Sequence, residues 1–224
     1  MKIVLKLTGK LFDEQYVGVI KEIIAVIKHR YSKGDRLAVV VGGGKTARKY
    51  ISMGESLGLS NSLLDVLGIE SSRINAMFLA SALGDAGYLP IPRNIEEFLN
   101  AWSSGKVVVL GGIQPGQSTN AVAAVVAELV GADMLVNATV VDGVYDKDPS
   151  RYSNAKLLKE ISIEDLEKFV RQEYLPGHYE LLDPIALNVI KRSRINLVFT
   201  NAFKPTNILR VIEGDRNIGT WIKF

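Results

Sequence analysis

The chain contains no cysteine, which excludes disulfides, a thiolate nucleophile, and cysteine-held zinc or iron–sulfur clusters. Histidine is nearly missing too. His29 and His178 are the only two, too few and too far apart for a zinc site, and both read as surface residues; metal ligands stay unassigned. A strong charge of one sign is also lacking: 27 lysines and arginines face 24 acidic residues, and the net +3 is scattered rather than blocked. That balance gives no support to a nucleic-acid partner. The longest uncharged run, residues 107–127, is interrupted by Gly111, Gly112, Gln114, Pro115, Gly116, Gln117, Ser118, Thr119 and Asn120, so it cannot satisfy a bilayer. Lys2, Lys6 and Lys10 break up the N-terminus before a signal-peptide core can form. A cytoplasmic protein without a membrane partner is expected. The chain has no G-x-S-x-G, no H-E-x-x-H and no G-x-G-x-x-G followed by an acidic residue at the dinucleotide-binding distance. Nucleophile-elbow hydrolases and nicotinamide enzymes fall behind accordingly.

What is present is ordinary globular material. At 224 residues, 47% apolar and 23% charged, the chain is long enough to bury a sizeable core. No linker, repeat or low-complexity tract divides it, so one α/β domain is expected, with room for two lobes. Short apolar runs at residues 3–7, 37–41 and 106–110, led and followed by helical patterns, predict a parallel sheet covered on both faces. Met134-Leu135-Val136 opens a further β-rich stretch to Tyr145, and residues 195–200 form a late strand. Asp13 is expected to cap a helix carrying Ile20, Ile23, Ile24, Ile27 and Tyr31. Further helices are predicted over 45–57, about 63–83, from Asn94, over 120–130 and from Ser162, and Trp102 and Trp221 read as packing residues.

In such sheets ligands gather beyond the carboxyl ends of the strands, at helix N-termini. Three glycine-bearing junctions occupy such places. Lys6-Leu7-Thr8-Gly9-Lys10 sets an ammonium inside an otherwise aliphatic strand, where a partner is expected unless the strand is an edge. Gly42-Gly43-Gly44-Lys45-Thr46 imitates the end of a P-loop, but the first glycine of that motif would fall on Val39, inside the strand. What survives is a phosphate-approaching backbone with Arg48 one turn on, because a structural turn accounts for one glycine and not three. The run from Leu110 to Asn120 offers amides and hydroxyls with no positive charge, suited to a neutral polar body, although Ser118 or Thr119 could simply cap the helix. Asp65 is a lone carboxylate in an apolar helical stretch, either bound to sugar hydroxyls or lying on a solvated face. Several anion-ready loops on one sheet fit phosphoryl transfer, which asks for positioning and charge neutralisation.

Taken in order, Lys6 to Gly9, Gly42 to Gly44 with Arg48, Asp65 to Gly68, Gly111-Gly112 with Gln117 to Asn120, Asn137 to Pro149 and Asn201 to Pro205 resemble the amino acid kinase superfamily, and within it the archaeal type of UMP kinases. The resemblance spans nearly the whole chain. It implies an αβα sandwich around a mostly parallel sheet, with a UMP-binding N-terminal part and an ATP-binding C-terminal part. It also implies a homohexamer, and transfer of the ATP γ-phosphoryl group to UMP with Mg²⁺ in pyrimidine nucleotide synthesis. Carried over residue by residue, Lys6 and Arg48 would be catalytic. Lys6, Leu7, Thr8, Gly9, Lys10, Gly44, Arg48, Thr139, Tyr145 and Asp148 would hold ATP. Gly43, Asp65, Ile113, Gln114, Pro115, Gly116, Gln117, Ser118 and Thr119 would hold UMP. Bacterial relatives carry lysines where this chain has Asn137 and Val140, so Arg48 or Lys10 would take that part. Asp142 is either the orienter of a lysine or metal-bound water, or a turn aspartate before Gly143. Alternative readings are another kinase of the superfamily acting on a small carboxylate, carbamate or isopentenyl phosphate, and a nucleotide-sensing protein without catalysis.

Overall fold

The computed structural model describes residues 1–172 and 182–224; His178 lies outside them. The strands are β1 (Lys2–Leu7), β2 (Arg36–Val41), β3 (Val108–Leu110), β4 (Met134–Thr139), β5 (Glu160–Ser162), β6 (Leu197–Asn201) and β7 (Thr220–Lys223). They form a seven-stranded sheet in the order β3-β2-β1-β4-β6-β7-β5. Every pairing is parallel except β6 with β7. The helices are α1 (Val17–Ser32), α2 (Gly44–Ser56), α3 (Asn61–Leu83), α4 (Ile95–Ser103), α5 (Thr119–Val130), α6 (Ile163–Gln172), α7 (Pro184–Ser193) and α8 (Pro205–Ile212).

Strand alternation sends neighbouring residues to opposite faces, and both faces are covered. Ile3, Leu5 and Leu7 pack with Ile20, Ile23 and Ile27 of α1, Leu79 of α3 and Val211 of α8. Val4, Val40, Leu135 and Phe199 pack on the other side with α4, α5 and α7. The result is an αβα sandwich, and the continuous apolar runs of the sequence are its doubly covered strands. Trp102 and Trp221 are buried packing residues as expected.

Local signals hold at several helix starts: Asn94 accepts the Glu97 N–H at 2.8 Å and Ser162 that of Asp165 at 3.0 Å. Asp13 departs from expectation. Two tight 3₁₀ turns, Gly9–Phe12 and Glu14–Tyr16, intervene to bury Leu11, so α1 begins only at Val17 and the Asp13 side chain makes no capping bond. The β-rich reading to Tyr145 holds to Thr139 and again only at Tyr145, which bridges Leu157 in antiparallel sense. Between them the Val144 N–H is taken by the Thr220 hydroxyl at 2.8 Å, and a Cβ on Gly143 would lie 2.4 Å from that same oxygen, so the segment is pinned against β7 instead of continuing a ladder. The third strand is shorter than predicted, Val108–Leu110, and β5, β7, α7 and α8 carried no sequence signal that was read.

Candidate functional site

The carboxyl ends of β1, β2 and β4 bring the first two glycine junctions together. Lys6 sits on β1, flanked by Val40 of β2 and Asn137 of β4. The strand is therefore central, which removes the edge-strand explanation for its lysine; the residue is half-buried. Thr8 continues the ladder through its N–H to Ala138 O at 3.0 Å, and the chain then turns at Gly9. Leu7 itself points into the core, so only its backbone is placed to meet a ligand, while Lys10 is exposed.

Gly9 touches the glycine triplet backbone to backbone. A Cβ on Gly9 would lie 2.2 Å from the Gly44 N, and one on Gly44, where φ is +66°, would lie 2.2 Å from the Gly9 O. A Cβ on Gly42 would come within 2.9 Å of the Gly9 N, and one on Gly43 within 2.5 Å of the Ala47 Cβ. Each of the three glycines thus has a packing reason of its own, which corrects the expectation that structure accounts for only one. The Asn75 side chain donates to Gly42 O at 2.8 Å and fixes the turn from α3.

The third junction closes over α3. Gly112 N–H donates to the Ser72 hydroxyl at 2.7 Å, Arg73 Nη2 to Ile113 O at 3.3 Å, and Gly116 N–H to Asp65 Oδ2 at 2.9 Å. Asp65 is an exposed rather than buried carboxylate. Between these loops lies a cavity of about 180 Å³ lined by Gly43, Asp65, Gly112, Gln117, Ser118 and Thr119, among others. A neighbouring groove of about 430 Å³ shares Asp65, Gly116, Gln117 and Ser118 and adds Asp183. Gln114 and Pro115 are exposed and line neither, and Ile113 is half-buried against the core. Ser118 caps α5, accepting the N–H groups of Asn120 at 3.0 Å and Ala121 at 3.2 Å.

Both α2 and α5 begin at this cavity, so two helix N-termini and their partial positive charge converge on it. Gly43 offers no capping side chain, which leaves first-turn amides of α2 open to an anion. Arg48 is exposed on α2, one turn past Gly44.

Sequence reasoning missed Asp183. It caps α7 through the N–H groups of Ile185 and Ala186, both at 3.0 Å, and accepts the Ser118 hydroxyl. Its signal was the Asp-Pro pair at a helix start.

Thr139, Tyr145 and Asp148 follow along the end of β4 and the segment beyond it. Asp148 accepts from Ser150 N at 2.9 Å and Ser150 Oγ at 2.7 Å, closing its own turn. Asp142 accepts from Lys204 Nζ at 2.7 Å and Asn201 Nδ2 at 3.0 Å. Burial alone would raise its pKa, but the hydrogen bonds of Lys204 and Asn201 and the Lys204 charge outweigh it and hold the carboxyl below its ordinary value. Asp142 thus meets a lysine, Lys204, while also standing in the bend before Gly143. Burial, and then the Asp142 charge, push the Tyr145 phenol upward.

Among the described residues, no group of three or more His, Asp or Glu side chains is placed to hold a metal ion, and no helix is long and apolar enough to cross a membrane.

The chain is similar to known proteins along its whole length. A profile of the amino acid kinase family matches residues 1–201. The chain is 48% identical over 225 residues to a uridylate kinase of Sulfurisphaera tokodaii, covering all of this chain and 99% of that one. It is 47% identical to a uridylate kinase of Hyperthermus butylicus, across 95% and 94% of the two chains. The crystal structure of the Archaeoglobus fulgidus uridylate kinase superposes with a TM-score of 0.89 at 36% identity, over the full length of both. The chain belongs to the amino acid kinase family.

Proposed function

We propose that this chain is a UMP kinase, transferring the γ-phosphoryl group of ATP to UMP to give UDP and ADP in pyrimidine nucleotide synthesis. The observation that carries the reading is the cavity bounded by Gly43, Asp65 and residues 117–119 and faced by two helix N-termini. Full-length similarity to proteins named uridylate kinase supports it.

In this reading the UMP phosphate lies against the α2 and α5 termini, with Asp65 on the ribose and Gly116, Gln117, Ser118 and Thr119 around the nucleoside. The loop itself carries no cation, which disfavours a carboxylate acceptor. Lys6, with the backbone of Leu7, Thr8, Gly9, Lys10 and Gly44, stabilises the equatorial oxygens of the moving phosphoryl group. Arg48 supplies a bidentate charge from the α2 side. Thr139, Tyr145 and Asp148 line the ATP nucleoside, so the N-terminal part of a single domain serves mainly UMP and the C-terminal part mainly ATP. Mg²⁺ would arrive with ATP as its complex and would supply charge neutralisation at the phosphates.

A homohexamer in the cytoplasm completes the proposal. It is supported by a stripe of exposed apolar side chains along α3, Leu63, Val66, Ile74, Met77 and Phe78, which water-exposed monomers rarely keep.

The test is a coupled assay for ADP with a panel of acceptors: UMP, dUMP, CMP, glutamate, carbamate and isopentenyl phosphate. UDP formation with UMP preferred is the expected result. Binding of UMP without transfer would mark a sensing protein, and preference for another acceptor a sibling kinase.

A further inference from the structure

Asn137 stands in β4 at 3% exposure, too deep for bulk water to serve its amide. Its Nδ2 donates to Asn120 Oδ1 at 3.3 Å, which turns the oxygen end of the amide the other way. The remaining Oδ1 is buried and has no hydrogen-bond partner. An unpaired acceptor at such a depth is costly, and a costly feature at the rim of a site calls for a donor that is delivered there.

The sheet register identifies that donor. Asn137 is paired with Lys6 across the β1–β4 ladder, and both project from the face that carries Val4 and Leu135 toward α5. Side chains in register on adjacent strands start about 5 Å apart. Phosphate oxygens only accept, so Asn137 Oδ1 is not a phosphate ligand; an ammonium has three N–H groups and nothing to accept with.

We propose that Asn137 is the positioning residue for Lys6: in the loaded site its Oδ1 takes one ammonium N–H and leaves the other two for oxygens of the transferring phosphoryl group. Asn120, in the first turn of α5, holds the Asn137 amide in the orientation this needs. A neutral acceptor aims the lysine without cancelling its charge, whereas a carboxylate in the same place would cancel it. The inference rests on the UMP kinase reading.

The experiment is a double-mutant cycle on the full chain, with kcat and both KM values measured for Asn137→Ala, Lys6→Ala and the pair together. Asn137→Ala should lower kcat about 10- to 100-fold, the scale of a misplaced catalytic group, with the KM for UMP and for ATP each within about twofold. On the Lys6→Ala background the same substitution should cost nothing further. Losses that multiply in the double variant, or a raised KM at unchanged kcat, would overturn the proposal by making Asn137 a packing residue. Should Asn137→Ala fail to fold, the cycle is run with Asn137→Asp, which keeps the shape and sets a carboxylate against the ammonium. A kcat loss that vanishes without Lys6 then supports the proposal, and a multiplicative loss overturns it. Absence of UDP formation by the unsubstituted chain would instead overturn the function itself.

Discussion

The Asp65 carboxylate on α3 accepts the backbone N–H of Gly116 across 2.9 Å, tying a helix to a loop 51 residues further along the chain. One carboxylate oxygen is thereby used to hold the loop, and the residue lines both the cavity and the groove. Asp65→Asn keeps an acceptor for Gly116 but loses the charge, so the contact to a ribose hydroxyl should weaken while the loop stays in place. Steady-state kinetics should show the KM for UMP raised about tenfold, equivalent to roughly 1.4 kcal/mol, with the KM for ATP within about twofold. An equal rise for both nucleotides would make Asp65 a structural residue only.

Lys6 is the one charged side chain of β1 placed between two paired strands. Lys6→Ala should lower kcat by about 10² to 10³, the cost of removing one preorganised donor to developing charge. UMP affinity by calorimetry should stay within about twofold. Unchanged turnover would remove the lysine from the mechanism.

Gly44 and Gly58 both have positive φ, +66° and +75°, but only Gly44 has backbone where its Cβ would go. Gly58→Ala meets no neighbour and should cost about 1 kcal/mol in urea unfolding, the price of left-handed backbone for an L residue. Gly44→Ala must also push the Gly9 turn away, and should cost about 3 kcal/mol or more together with most of the turnover. Equal costs at the two positions would show that the loops are not in contact.

Asp35 is 7% exposed and bonded to the Arg30 Nε at 2.6 Å and to the Met1 ammonium at 2.6 Å. Burial pushes its pKa up, yet the two hydrogen bonds and two charges prevail and hold it below 3.8. A folded pKa below the unfolded one adds stability above the unfolded value, and that stability is lost as the pH falls through the folded one. Urea unfolding from pH 7 to pH 2 should therefore show a steeper acid loss in the wild type than in Asp35→Asn. At pH 7 the variant should be less stable by about 2 kcal/mol, since the half-buried Arg30 guanidinium is left with only its longer 3.8 Å ion pair to Glu213 among the described residues. Parallel acid limbs would show that Asp35 keeps its ordinary pKa in the folded protein.

Much of this architecture is legible locally. The apolar runs at 3–7 and 37–41 become β1 and β2 because parallel strands covered on both faces need no polar alternation. Asn94 and Ser162 cap as read, because a cap is a contact three residues long. The glycine triplet was visible, but its reason was not, since the atoms that forbid side chains there belong to Gly9. Ser118 carried two readings, cap and ligand, and the geometry assigns it the cap while also setting it in the cavity wall. Asp183 and the Lys204–Asp142 pair escaped notice because each partner is remote in sequence and ordinary by itself.

The sequence by itself determined the central strands and most of the helices that cover them, and that an ammonium interrupts an aliphatic strand, because periodicity, caps and composition act over a few residues. Only the tertiary structure decided that this strand lies in the middle of the sheet, that Gly9 seats against Gly44, and that a buried amide oxygen waits opposite the lysine. Those facts depend on register and on contacts between residues far apart in the chain, and no local pattern records which distant backbone will arrive.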